Sequence, residues 1–110
     1  MAYNLDELIG ELKELSEMFY KDEEKAAFAK LAQMIKTINE VMAEFIDKIP
    51  KYNEKGADIP VDVVLAQLNN LVEAMKYKDT VMLGDCIRYE LIESISLYKE
   101  LLMEKQYGNI

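Results

Sequence analysis

Two pairs of glutamates are the side chains best spaced for metal binding or acid–base catalysis. Glu40 with Glu44, and Glu100 with Glu104, would each lie on one face of a helix, because residues four apart are neighbours there. All four fall outside the apolar positions of their predicted helices, where a charge stays hydrated. We therefore interpret these pairs as solvated surface, and an enzyme that uses carboxylates and a divalent metal is the least favoured function.

The sequence contains no histidine. This excludes zinc sites built on histidine, di-iron sites built on Glu-x-x-His, and catalytic pairs of serine or cysteine with histidine. The 4 glycines lie too far apart to form a phosphate-binding loop. We therefore predict a protein that is not an enzyme and that has no cofactor or metal site.

Cys86 is the single cysteine, and it lies between apolar residues of a predicted helix. A buried thiol keeps its proton, so core packing is favoured over a role as nucleophile or redox sensor. The chain has 7 methionines, a composition also found in adaptable binding grooves. Met18, Met42 and Met75 fall on the apolar stripes of the predicted helices, which favours a role in core packing instead.

The most informative polar segment surrounds Gly84 and holds Asp85, Arg88, Tyr89 and Glu90. A glycine within a helix costs about 1 kcal/mol relative to alanine, so a local contact should offset it. Arg88 is the only arginine, and its guanidinium must either reach solvent or pair with a carboxylate, which is Asp85, within helical reach, or a residue on another helix. We favour a structural ion pair beside a close helix crossing at Gly84, and a site for a ligand or protein partner is the alternative.

Apolar residues recur at spacings of three and four, which predicts helices that must position these side chains. The first helix is capped by Asn4, and the second stops at Pro50. In the first helix the buried positions are Leu5, Leu8, Leu12, Leu15 and Phe19. In the second they are Phe28, Leu31, Ile35, Ile38, Met42, Phe45 and Ile49.

The phase of the apolar positions slips by two residues between these helices. At about 100° per residue, the slip turns the buried face by roughly 200°. The chain must therefore reverse between Phe19 and Glu24, and Asp22 is a plausible cap for the second helix.

Two further helices are predicted after a polar loop bounded by Pro50 and Pro60. The third has its buried face at Val61, Val64, Leu65, Leu68, Leu71, Val72 and Met75. The fourth starts near Asp79, ends near Lys105 and buries Ile87, Leu91, Ile95, Tyr98 and Leu102, after which residues 106–110 should fray.

The segment 18–22 recurs at 75–79, a shift of 57 residues with four of five positions matching. This suggests a duplicated helical hairpin; the alternative is that any two amphipathic hairpins share a periodicity and that one short match arises by chance. The same shift places Arg88 at the position of Leu31.

The predicted fold is all-α: a single domain, 1–110, forming a four-helix, largely antiparallel bundle. Its parts are a hairpin over 4–49, a loop over 50–59 and a hairpin over 60–105. The net charge of −8 disfavours binding to nucleic acid or to an anionic membrane. The sequence has no membrane-spanning apolar run and no leader, so a cytoplasmic protein is expected.

Asp79, Asp85, Tyr89, Glu90 and Leu91 form a run that resembles a segment in small uncharacterised all-helical proteins of low-GC Gram-positive bacteria. The resemblance covers about the last third of the chain, implies a bacterial origin and brings no activity. The leading hypothesis is a non-enzymatic helical module that binds a protein partner or itself. Chaperones of type III or flagellar export are an alternative, based on size, acidity and helical hairpins.

Overall fold

The computed structural model describes residues 4–104 and Tyr107. Within these residues the chain forms helices and no strand, which confirms the all-α class. The first three helices are α1 (Leu5–Tyr20), α2 (Glu24–Glu54) and α3 (Val61–Lys76). The fourth is a C-terminal rod that consists of α4 (Thr80–Asp85), a π-helical segment (Cys86–Leu91) and α5 (Ile92–Met103). The predicted end at Lys105 lies outside the described residues.

Side-chain contacts fix the directions of the helices around the C-terminal rod. The two ends of α1 meet opposite ends of the rod, through Tyr20 with Asp85 and through Asp6 with Lys99. The α3 helix also runs opposite to the rod, and it contacts the rod through the pairs Gln67–Ser94 and Asn70–Glu90. The α1 and α2 helices meet through the pairs Glu14–Lys30 and Phe19–Phe28.

The first helix agrees with its sequence pattern. All five positions predicted to be buried are buried, and the Asn4 side chain accepts a hydrogen bond of 3.0 Å from the backbone N–H of Glu7. That bond satisfies one of the free N–H groups at the helix start.

The chain breaks between α1 and α2, as the phase slip predicts. Asp22 has a φ of 60°, and the Glu23 N–H donates to the carbonyl of Met18, closing α1. Asp22 is therefore not the cap of α2, because aspartate here takes the left-handed conformation that ends the preceding helix. Glu23 holds the cap position, without a side-chain cap bond.

The second helix does not stop at Pro50 but continues through it to Glu54. Burial favours this extension, since Tyr52 is fully buried and its ring packs edge-on against Tyr107. Tyr107, predicted to fray, is thus part of the core, whereas 106 and 108–110 lie outside the described residues. Within α2, Phe28 and Ile35 are only partly buried, at the edge of the core.

The loop after α2 is shorter than predicted and is closed by one side chain. Asn53 accepts from the Ile59 N–H at 2.6 Å and donates to the Ile59 carbonyl at 2.9 Å. Gly56 has a φ of 98°, a conformation that favours glycine. Pro60 occupies the cap position of α3 instead of its first turn.

The buried face of α3 is narrower than its apolar pattern. Val64 and Leu71 are buried, and Leu68 and Met75 are partly buried. Three other positions predicted to be buried are exposed: Val61 at 37%, Leu65 at 46% and Val72 at 59%. The prediction was wrong here because the apolar arc of α3 is wider than the surface that α2 and the C-terminal rod cover.

No described helix combines the length and the apolar character that crossing a membrane requires.

Candidate functional site

The predicted polar segment lies where α1 crosses the C-terminal rod. The ring of Tyr20 packs directly on Gly84, and a Cβ atom built on that glycine would lie 2.7 Å from a ring carbon. A Cβ at that distance would have to displace the ring. The close helix crossing at Gly84 is therefore confirmed, and it accounts for a glycine inside a helix.

Asp85 does not pair with Arg88 but binds Tyr20. The Tyr20 hydroxyl donates to an Asp85 carboxylate oxygen at 2.6 Å. Partial desolvation is the largest cause and this hydrogen bond the second, and together they raise the pKa of Tyr20 to about 12. The sequence placed the carboxylate correctly but assigned it the wrong partner, because the partner lies on α1, 65 residues away.

Arg88 is exposed, and among the described residues no carboxylate lies within ion-pair distance of it. Its guanidinium carbon lies 5.9 Å from the ring centroid of Tyr89, which is also exposed. The predicted ion pair is thus absent, the guanidinium reaches solvent as the alternative prediction has it, and Arg88 does not occupy a core position. Ile87, fully buried, takes that position instead.

Glu90 faces α3, and Cys86 is buried in the interior. An Asn70 amide donates to Glu90 at 3.3 Å, so Glu90 joins two helices. Burial, together with the nearby Glu90 charge, raises the pKa of the Cys86 thiol to about 11. The thiol therefore stays protonated near neutral pH, which is unfavourable for a nucleophile and agrees with core packing.

A cleft of about 410 Å³ opens beside Arg88 and Tyr89, between the rod and α1. Lys13 and Arg88 line it together with Glu17 and Glu93, so its cations are matched by an equal number of carboxylates. This lining selects for neither an anion nor a cation. The described part of the chain contains no group of three or more side chains that could hold a metal ion.

Glu40 and Glu44, the first glutamate pair considered for chemistry, already have partners within the chain. Glu44 accepts from the Tyr98 hydroxyl at 2.9 Å and lies 3.4 Å from the Lys48 ammonium. Burial and this hydrogen bond raise the pKa of Tyr98 above its usual value. Glu44 is therefore partly buried and structural, not a solvated surface residue, and Glu40 lies 4.0 Å from Lys36.

The π-helical segment is the feature of this region that the sequence analysis missed. The Ile92 N–H donates to the carbonyl of Ile87, five residues earlier, so this turn holds one more residue than an α-helical turn. The signal is present in the sequence, because four buried residues of the rod follow one another at three successive spacings of four. They are Leu83, Ile87, Leu91 and Ile95.

The extra residue also corrects the proposed internal repeat. The hydrogen bond from Glu23 to Met18 that closes α1 has its counterpart, 56 residues later, in the bond from Asp79 to Ala74. Buried positions before the π segment follow this shift of 56, as Ala27 and Leu83 do, and so do Leu31 and Ile87 at its start. Those after the segment follow the predicted shift of 57. The equivalence of Arg88 with Leu31 is therefore wrong by one residue.

The exposed residues Val61, Leu65 and Val72 form a second candidate site, which we call the α3 outer face. Successive residues turn by about 100°, so these three fall within roughly 40° of one another on the helix. The sequence pattern predicted an apolar face but could not tell which part of it stays exposed, because the same periodicity describes a covered and an uncovered face.

The hydrogen bond between Tyr20 and Asp85 gives a prediction for alkaline pH. Because the pKa of Tyr20 in the folded protein lies above the ordinary tyrosine value of 10.0, the free energy of unfolding should fall as pH rises from 10.0 to about 12. The difference in ultraviolet absorbance between wild type and Tyr20→Phe should report a phenolate forming near pH 12. Asp85→Asn should move that midpoint towards 10.0, and a wild-type midpoint already at 10.0 would contradict the hydrogen bond.

A protein-family model described as a domain of unknown function, DUF8042, matches residues 3–101. No curated protein and no solved structure matches the chain. The matched range includes α1, α2, α3 and all of the polar segment around Gly84, and its description names no activity.

Proposed function

Because the chain belongs to the DUF8042 family, whose function is unknown, we propose a role from its own surface: a non-enzymatic helical module that binds protein through the α3 outer face. Exposure of Val61, Leu65 and Val72 on one side of α3 is the observation that carries this proposal. Other apolar residues are exposed in the chain, but these three share one helix face.

Physical reasons favour a protein as the partner. An apolar face on a helix is complementary to the apolar face or groove of another protein, and burying it on binding releases ordered water. The net charge of −8 opposes both nucleic acid and anionic membranes. The buried, unpaired thiol of Cys86 is consistent with the cytoplasm, where we place the protein.

The polar segment around Gly84 is a weaker candidate for the binding surface. Its contacts are mostly internal, because Gly84 packs on Tyr20, Asp85 accepts from Tyr20 and Glu90 accepts from Asn70. Arg88 and Tyr89 alone remain available to a partner.

The experiment compares three variants of a tagged chain after crosslinking in the native host. Leu65→Glu places a charge on the α3 outer face. Leu97→Glu makes the same change at a similarly exposed leucine, 38% exposed on α5. Arg88→Ala removes the cation of the polar segment.

We expect Leu65→Glu to lose the proteins that wild type crosslinks, including other copies of the chain, and the other two variants to retain them. Each variant should melt as a folded protein, since all three side chains are exposed. Retention of every partner by Leu65→Glu would overturn the proposal. So would loss of the partners by Arg88→Ala alone, since the surface would then be the polar segment.

A further inference from the structure

We propose that the partner of the α3 outer face is a second copy of this chain, with the two α3 helices packed antiparallel about a twofold axis. This inference rests on the proposed function, since it uses the same face. It adds the identity of the partner and the orientation of the two helices.

The first argument is the order of residues along the edge of the face. Asp62, Asn69 and Lys76 are all exposed, and they follow one another at intervals of seven residues. At about 100° per residue they fall within roughly 40° of one another, beside Leu65 and Val72. The positions next to the apolar stripe, which form its polar flank, are therefore acidic at the start of α3 and basic at its end, and Glu73, also exposed, lies about 20° farther from the stripe than Asp62.

The charges on this flank are complementary to those of a second copy only when the two α3 helices run in opposite directions. With Asn69 at the twofold axis, Asp62 of one copy lies opposite Lys76 of the other, and the contact occurs twice. Leu65 then lies within one residue, or about 1.5 Å along the axis, of the level of Val72 of the other copy. A parallel arrangement would instead place Asp62 beside Asp62 and Lys76 beside Lys76, which like-charge repulsion disfavours.

The residue at the axis also fits a copy of itself. An asparagine amide has both donors and an acceptor, so two copies of Asn69 can each donate to the other. This amide pair can form only when both copies place Asn69 at the axis, so it favours the same register.

The two charged residues of the flank have no ion pair within the described chain, so both are available for this interface. Among the described residues, Lys76 lies 5.6 Å from the ring centroid of its neighbour Tyr77 and forms no ion pair. Asp62 lies in the first turn of α3 and is likewise unpaired within the described chain. The antiparallel pairing supplies each with the opposite charge.

The test measures the mass of the purified full chain by sedimentation equilibrium over a range of concentrations. We expect wild type to approach twice its monomer mass of 12.7 kDa at high concentration. Leu65→Glu should weaken the dimer by about a hundredfold, since a buried charge would face Val72 of the other copy. The matched control Leu97→Glu should leave the dimer unchanged.

A charge exchange tests the orientation. Asp62→Lys alone and Lys76→Asp alone should each weaken the dimer by about tenfold, because both contacts become repulsive. Mixing these two variants should restore a dimer of near wild-type strength, since every contact then joins opposite charges. The double variant Asp62→Lys with Lys76→Asp should also form a dimer with itself, because the antiparallel contacts are again complementary.

A wild type that stays monomeric at its highest soluble concentration would overturn this inference. So would dimers that Leu65→Glu leaves intact, or single charge variants that mixing does not restore. If wild type is monomeric but Leu65→Glu still loses a crosslinked partner in cells, the proposed function stands and the partner is a different protein.

Discussion

Deleting Tyr89 should leave a folded protein, whereas deleting Asn39 should abolish the native fold. Both residues are exposed, so neither deletion removes a buried side chain. Tyr89 lies in the π-helical segment, where one residue exceeds the number that an α-helix needs. Its removal lets the rod continue as a regular α-helix with both halves of its buried face in register.

The deletion of Asn39 has no such compensation, because α2 is regular there. Every later residue of the helix would turn by about 100° relative to the preceding ones. That rotation would remove Met42, Phe45 and Ile49 from the core, where each is at most 1% exposed.

Thermal unfolding followed by circular dichroism compares the two purified variants. We expect a cooperative transition for the Tyr89 deletion and none for the Asn39 deletion. Loss of the cooperative transition on deleting Tyr89 would mean that the π turn is required for the fold and is not a tolerated insertion.

Replacing Ile38 with alanine should lower the free energy of unfolding by about 2–5 kcal/mol. Ile38 is fully buried at the middle of α2, so the change loses transfer free energy and leaves a cavity. Stabilities of small domains are about 5–15 kcal/mol, so this loss is a large part of the total.

Denaturant unfolding checks this value, and two further variants serve as controls. Ile38→Val should cost only about 0.5–1.5 kcal/mol, because less volume is removed. Ile35→Ala should cost less than Ile38→Ala, because Ile35 is only partly buried. Equal losses at the two positions would contradict the placement of the core along α2.

The helices, the chain reversal after Phe19 and most of the core could be predicted from the sequence. Helix formation and burial of a face depend on residues three and four apart, so their pattern is local and readable. The cap at Asn4, the buried face of α1 and the helix start at Asp79 agree with the structure for this reason. The sequence also identified the segment around Gly84 as the place of a close helix crossing.

Which apolar positions neighbouring helices cover, and which charged groups come into contact, depends on the tertiary structure. Pro50 does not end α2, because burial of Tyr52 outweighs a local preference. Asp85 binds Tyr20 and not its helical neighbour Arg88, since the hydroxyl arrives from α1. Leu65 and Val72 remain exposed because α3 has more apolar surface than its neighbours can cover. Each outcome depends on contacts between residues far apart in the chain, and a local periodicity carries no information about them.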